Sequence, residues 1–449
     1  MENLNLKSQK NPNPSVNFLN QNIRICFLFI LSIVLVSLLI AVRFKDFQDT
    51  NIAYAINYLS GQAGNDSWIP MADAITQLRE NPGTPVYGDI FFNTNNRFQY
   101  PVSSVLFLDL SQRMTGLSWE KLFDVLNAIS WLFVLAAGIV FYWLFTQSTS
   151  LADKKIQIPF SSQIALVIMS LAVVLSFYPI LRSFKLGQIQ TTLTLIVGLA
   201  LLAWQHKNLG LAGFFIGICC IIKPQWGLII IWAVFRRQWK FVIMSLVAIF
   251  IPLFISILVY GANHYFEYLS VLSVMGRHGE SFYANQSVNG LMHRLFFNGN
   301  NLKWLGDVFP PFHPIVYIST ISSTILILAT AMFWRISKDP NIVDFALIML
   351  SLTIASPIAW EHHYGFLVLV FAIVFPMAIH RKIFGAWTTA FLWIVFLLTS
   401  LKLEGITDQF AKTHWNFLQS YLFFGAIMVL ILLYRLSGFQ NGGEVPGEG

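Results

Sequence analysis

The chemistry open to this 449-residue chain is concentrated in a few polar segments. The first is Asn65-Asp66-Ser67-Trp68-Ile69-Pro70-Met71, a carboxylate just ahead of a helical pattern over 68–79 with Pro70 in its first turn. Either Asp66 or Ser67 can cap that helix, and Asp66 can instead accept a proton from a substrate hydroxyl. Asp46, Asp49, Asp73 and Asp89 are rival acids in the same stretch. The second is Ser356-Pro357-Ile358-Ala359-Trp360-Glu361-His362-His363-Tyr364, set between two apolar runs. Ionisable residues at such a boundary usually face a cavity or a partner. The turn either caps two helices or gives one histidine to a site, because adjacent side chains point in different directions. The HExxH spacing of zinc proteases is missing.

Lys223-Pro224 divides two short apolar runs. Proline there leaves backbone groups unpaired at membrane depth, which is tolerated beside protein or a water-filled cavity. Lys223 therefore either snorkels to the interface or meets an anion. Arg182 and Lys185, followed by Gly187-Gln188, form a similar cation pair or ordinary flanking charge. Asn285-Gln286-Ser287, with Arg294 nearby, is an amide and hydroxyl cluster suited to a polyol, and both Asn65 and Asn285 head Asn-x-Ser sequons.

These segments must be held by a chain that is 56% hydrophobic and 11% charged, against roughly 25% charged in soluble proteins. Soluble, disordered and fibrous classes are excluded. The net charge of +7 matches the Lys and Arg excess of cytoplasmic loops. The longest basic cluster is only Arg236-Arg237-Gln238-Trp239-Lys240, so a nucleic-acid partner is not expected. Cys26, Cys219 and Cys220 all lie inside apolar runs, which excludes a disulfide framework and a Cys-based zinc site. No nucleotide-binding motif and no acidic cluster is present, so neither cofactor nor metal is expected.

A spanning helix needs about 20 apolar residues. Runs at 23–43, 122–146, 163–181, 187–204, 241–260, 313–334, 343–360, 363–380, 384–401 and 416–435 approach this, and 101–113, 209–222 and 225–235 are shorter. Lys7, Lys10, Arg24, Lys154-Lys155, Arg236-Arg237, Arg335 with Lys338, Arg381-Lys382 and Arg435 mark the cytoplasmic side. Treating 101–113 as re-entrant or interfacial gives twelve crossings that satisfy every charged turn. Loops 44–100 and 261–312 and the turns at 182–187, 223–225 and 360–364 then share the external face, beyond the reach of cytosolic nucleotide sugars. Residues 1–22 read as a disordered cytoplasmic tail, 23–436 as one transmembrane domain and 437–449 as a flexible tail.

Taken in order, the segments resemble glycosyltransferase family 87. The resemblance rests on Asp66 followed by a helix, Tyr87, Phe98-Gln99-Tyr100-Pro101, Gly187-Gln188, and Leu211-Ala212-Gly213 with Gly217 and Lys223-Pro224, closed by Arg236-Arg237-Gln238-Trp239. It continues through Asn285-Gln286-Ser287 with Gly290 and Ser356-Pro357 with Trp360 and His362-His363. The sequence departs from the family in Tyr100-Pro101-Val102, where Tyr-Pro-Pro is common, and in Pro70-Met71, where tyrosines are frequent. The resemblance implies an all-α GT-C-type membrane fold with about 12 transmembrane helices. It also implies a polyprenyl-phosphate sugar donor, commonly carrying mannose, and transfer to a glycolipid or glycan on the external face of the plasma membrane. Asp66 takes the position of the general base, with His362 or His363 beside it. Lys223, Arg182, Lys185 and Arg294 are then candidates for the donor phosphate, and Tyr100, Gln188, Asn285, Gln286, Trp360 and Glu361 for the remaining substrate contacts. A transporter or flippase is the rival reading; it asks for paired halves with broken helices, and only the half holding 209–235 supplies a break.

Overall fold

The computed structural model describes residues 14–94, 97–152, 160–306 and 308–439. Most of the expected tail at 1–22 and the markers Lys7, Lys10, Lys154 and Lys155 lie outside the described residues, as does 440–449. At both ends the helices run further than the composition indicates. Helix α1 (Pro14–Phe44) begins inside the expected tail, and the last helix continues to Phe439, past the expected boundary at 437.

Every apolar run forms helix, and the described residues contain no strand, only one isolated bridge. The first polar stretch carries α2 (Asn51–Leu59) and α3 (Trp68–Glu80), followed by the short α4 (Leu106–Thr115). Then come α5 (Trp119–Ala152), α6 (Phe160–Ser176), α7 (Tyr178–Leu186), α8 (Gln190–Gln205), α9 (Leu209–Ile222), α10 (Leu228–Phe235) and α11 (Trp239–Tyr260). The second polar stretch holds α12 (Asn263–His278) and α13 (Val288–Leu295). Helices α14 (Pro314–Phe333), α15 (Ile342–Ala355), α16 (Leu367–Arg381), α17 (Thr388–Ser400), α18 (Glu404–Thr407) and α19 (Tyr421–Phe439) complete the chain.

Among the described residues, six helices are long and apolar enough to cross a membrane, or eight when two bent pairs are counted as single spans. Four shorter apolar helices, α8, α9, α15 and the pair ending in α10, lie among them. The chain is a multi-pass membrane protein. The run read as one span at 163–181 is in fact broken, with α6 and α7 bent by 65° at Phe177. The bend turns α7, and with it Arg182 and Lys185, away from the α6 axis.

Helix α16 forms the centre, buried along its length between α5, α17 and α19. The tightest helix pair is α9 with α11, and its sequence cause is the Gly213-x-x-x-Gly217 spacing. A Cβ at Gly213 would lie 2.2 Å from the Phe241 carbonyl oxygen, and one at Gly217 would lie 2.6 Å from that of Ser245. The Ser245 hydroxyl donates to the Gly213 carbonyl at 2.8 Å across this contact. Arg236 is buried rather than solvated. Its guanidinium donates to the carbonyls of Met332, at 3.0 Å, and Trp334, at 2.6 Å, and so ties the end of α10 to the end of α14.

Candidate active site

The segment Gly64–Ser67 lies along the end of α7, joined to it by backbone bonds. Gly64 N–H donates to Lys185 O at 2.8 Å, Asp66 N–H to Leu186 O at 2.9 Å and Ser67 N–H to Gly187 O at 3.2 Å. Gly187 has φ +69°, and a Cβ there would lie 1.8 Å from Gly64 O. Only glycine permits both that backbone conformation and that approach. Helix α5 supplies a further brace. Asn127 donates to Gly64 O at 3.1 Å and to Asn65 Oδ1 at 3.0 Å, and accepts from Trp68 Nε1 at 2.9 Å.

Ser67 is the N-cap residue of α3, but its side chain is engaged elsewhere. It donates to Gln188 Oε1 at 2.8 Å and accepts from Ile189 N–H at 3.0 Å. Asp66 therefore does not serve as the cap. Its carboxylate opens onto a cavity of about 600 Å³ and accepts a short hydrogen bond from Gln188 Nε2. Enclosure by the cavity walls raises the Asp66 pKa, and the Gln188 bond and the Arg182 charge offset this only in part. A carboxyl so placed holds a proton more readily than one in open solution.

The other side of the cavity is set by the 284–286 and 359–361 segments. Gln286 N–H donates to Ala359 O at 2.7 Å and Glu361 N–H to Ala284 O at 3.0 Å, forming the single bridge. The Asn285 amide donates to Pro357 O at 3.1 Å and to Glu280 O at 2.8 Å, and accepts from Ala359 N–H at 2.9 Å. Ser287 also donates to Pro357 O, at 3.0 Å. This clamp presents Trp360, Glu361 and His362 to the cavity. Glu361 accepts from Tyr178 at 2.9 Å and from Tyr421 at 3.1 Å.

A second cavity, of about 270 Å³, adjoins the first, and Gln99, Tyr100, Gln188, Trp360 and His362 line both. Lys223 and His363 open only onto the second, among apolar residues that include Leu272, Met275 and Leu328. Lys223 donates to Gln190 Oε1 at 2.7 Å. Arg182 and Lys185 open onto the first cavity, where Arg182 donates to the Tyr54 hydroxyl at 2.7 Å and the Lys185 ammonium lies 4.3 Å from the Tyr54 ring centre. Burial pushes the Tyr100 hydroxyl up to about 12, so it remains a hydrogen-bond donor at neutral pH.

The chain's sequence matches that of glycosyltransferase family 87 over residues 98–357, more than half of its length. The chain belongs to glycosyltransferase family 87. No curated protein and no solved structure matches it at a significant level. The activity is therefore that of a membrane glycosyltransferase, which sets aside the transporter reading.

Around this glycosyltransferase's cavities the structure gathers Asp66, His362, His363, Lys223, Arg182, Lys185, Tyr100, Gln188, Trp360 and Glu361. Three expected site residues lie elsewhere. Arg294 lines neither cavity; its guanidinium donates to Ser420 Oγ at 2.7 Å and Asn285 O at 3.0 Å, which braces the clamp. Asn285 and Gln286 likewise line neither cavity. Asn285 is committed to the clamp, and Gln286 donates to Tyr283 O at 2.8 Å and Gln419 O at 2.7 Å and accepts from Phe423 N–H at 3.1 Å. Among the described residues, Asp66 bonds to Gln188 and to neither histidine. The residues missed from sequence are Arg97, Gln99 and Trp304 in the cavity wall, and Asn127 behind it. Asn127 had a visible signal, being the one amide within the apolar run at 122–146.

Proposed function

We propose that this glycosyltransferase moves a hexose, with mannose as the first donor sugar to test, from a polyprenyl phosphate to a hydroxyl of a glycolipid or glycan. The observation that carries this reading is the pair of adjoining cavities, Asp66 in the polar one and Lys223 in the apolar one, separated only by shared walls. An isoprenoid chain suits the aliphatic wall at Leu272, Met275 and Leu328, with its phosphate at Lys223. The sugar then reaches past Tyr100, Gln188, Trp360 and His362 towards Asp66.

In the reaction the acceptor O–H gives its proton to Asp66, the acceptor oxygen bonds to the anomeric carbon, and the bond from that carbon to the phosphate oxygen breaks. The departing polyprenyl phosphate keeps the electron pair. Lys223 meets the charge that develops there, and such a preplaced cation stabilises the transition state more than the ground state. Arg182 and Lys185 hold the polar cavity positive beside Asp66 and help to keep the base ionised. The twelve-crossing topology, with both cavities on the extracytoplasmic face of the plasma membrane, belongs to the same proposal.

Lys223→Ala tests the reading. With purified protein and polyprenyl-phosphate mannose, the KM for donor should rise about 10-fold, as expected for losing a hydrogen bond to a charged group, while the KM for acceptor stays within error. An unchanged donor KM together with an unchanged kcat would reduce Lys223 to an interfacial anchor.

A further inference from the structure

Trp304 lines the polar cavity and not the apolar one. This indole is 44% exposed, and the same cavity is lined by Asp66, Arg182 and Lys185. Its turn is fixed from several directions. The Asn300 side chain accepts from the N–H groups of Leu302 and Lys303, each at 3.0 Å. Asn301 accepts from Tyr283 N–H at 2.9 Å and donates to Ala411 O at 2.8 Å. Arg97 donates to Leu305 O at 3.1 Å, and its guanidinium lies 3.9 Å from the Phe309 ring centre and 5.9 Å from that of Trp304. Glu280, 3.9 Å from Arg97, holds that guanidinium in turn.

An exposed indole in the wall of a polar cavity offers apolar surface to a ligand. The C–H face of a pyranose ring matches it, with the sugar hydroxyls left free to meet the polar rim. Trp360 and His362 line both cavities, whereas Trp304 lines only the polar one and Lys223 only the apolar one. Resting on the transferase reading above, we propose that Trp304 is the stacking platform for the sugar ring of the acceptor, and that the acceptor enters as a saccharide end, not as a simple lipid alcohol.

Saturation-transfer NMR on the full chain in lipid nanodiscs, with methyl α-mannopyranoside as probe and no donor, tests the platform. Ring C–H signals should be strong for the unmodified protein, about 5-fold weaker for Trp304→Ala, and largely kept in Trp304→Phe, in line with the worth of one aromatic contact. Should Trp304→Ala fail to fold, Trp304→Gln keeps a side chain at the same exposed position and gives the same comparison. Equal signals in the unmodified and Ala or Gln proteins, or none in the unmodified protein, would overturn the platform and leave Trp304 as an interface-belt residue. A protein that binds the glycoside through Trp304 but transfers no hexose from polyprenyl-phosphate mannose would overturn the proposed function instead.

Discussion

Asp66, in the first polar stretch, and Asp109, on the short helix that follows it, lie 43 positions apart and are held in opposite ways. Asp109, on α4, is buried and bonded to Arg79, to Arg113 at 2.9 Å and to the Tyr260 hydroxyl at 2.5 Å. Burial alone would push its carboxyl up, but the Arg113, Tyr260 and Arg79 contacts together outweigh it and hold the group below the ordinary carboxylate range. Asp66 has one amide partner, an open cavity in front of it, and a pKa raised by enclosure. The first arrangement engages both carboxylate oxygens in tying α3, α4 and α11 together. The second leaves a carboxylate ready to take a proton. What separates the brace from the proposed base is thus the number of fixed donors around the acid and its access to solvent, since Asp109 is buried and Asp66 lies exposed at the cavity.

The largest expected effect that would break this contrast is in turnover. Asp66→Asn keeps shape and removes the proton acceptor, so transfer should fall by roughly 10²-fold or more. An ionised Asp66 with a raised pKa opposes folding above that pKa, and the cost disappears as the pH falls through it. Thermal stability of Asp66→Asn at neutral pH should therefore match or exceed that of the unmodified protein. Asp73→Asn, at an exposed position on α3, serves as the control and should transfer normally. Normal transfer by Asp66→Asn would end its assignment as base.

The next effect is in stability. Asp109→Asn should cost about 2 kcal/mol, the scale of hydrogen bonds to a charged group, and lower the unfolding temperature while transfer per folded molecule is retained. With its folded pKa depressed, Asp109 contributes stability that is present above the ordinary carboxylate pKa and lost as the pH falls through the folded value. The acid decline in stability should flatten in the variant. A loss of transfer without a loss of stability would move Asp109 into the catalytic group.

The smallest effect is a displacement along the pH axis. The Gln188 amide favours the charged form of Asp66. Gln188→Ala should therefore raise the Asp66 pKa and move the acid limb of the kcat/KM profile to higher pH, with the alkaline side unchanged. A limb that stays in place while activity drops uniformly would mean that Gln188 only shapes the wall shared by the two cavities.

Much of this protein was legible in its sequence. Apolar runs of spanning length fold as helices whatever surrounds them, because in a bilayer the backbone must satisfy its own hydrogen bonds. The helix after Asp66 followed from its pattern and Pro70. The clustering of polar chemistry at 182–188, 223, and 360–363 also marked Arg182, Lys185, Gln188, Lys223 and the 360–363 turn, which all line the cavities.

Tertiary structure decided which polar residues face the cavities. Asn285, Gln286 and Arg294 resemble sugar and phosphate ligands in composition, yet backbone carbonyls and N–H groups brought close by the bridge at Asn285 and Trp360 take up their hydrogen bonds. Asp66 could equally have been a cap; it became a cavity acid because Gly187 lets the end of α7 come against its backbone and Gln188 takes its side chain. Trp304 could not be told from any other interfacial tryptophan until Arg97 and Asn301, far apart in sequence, were seen to fix its turn beside the cavity. A hydrogen bond between distant segments leaves no periodicity to read. Helix formation and hydrophobicity are local properties that sequence determines, whereas the partner of a polar group is settled only when the helices pack.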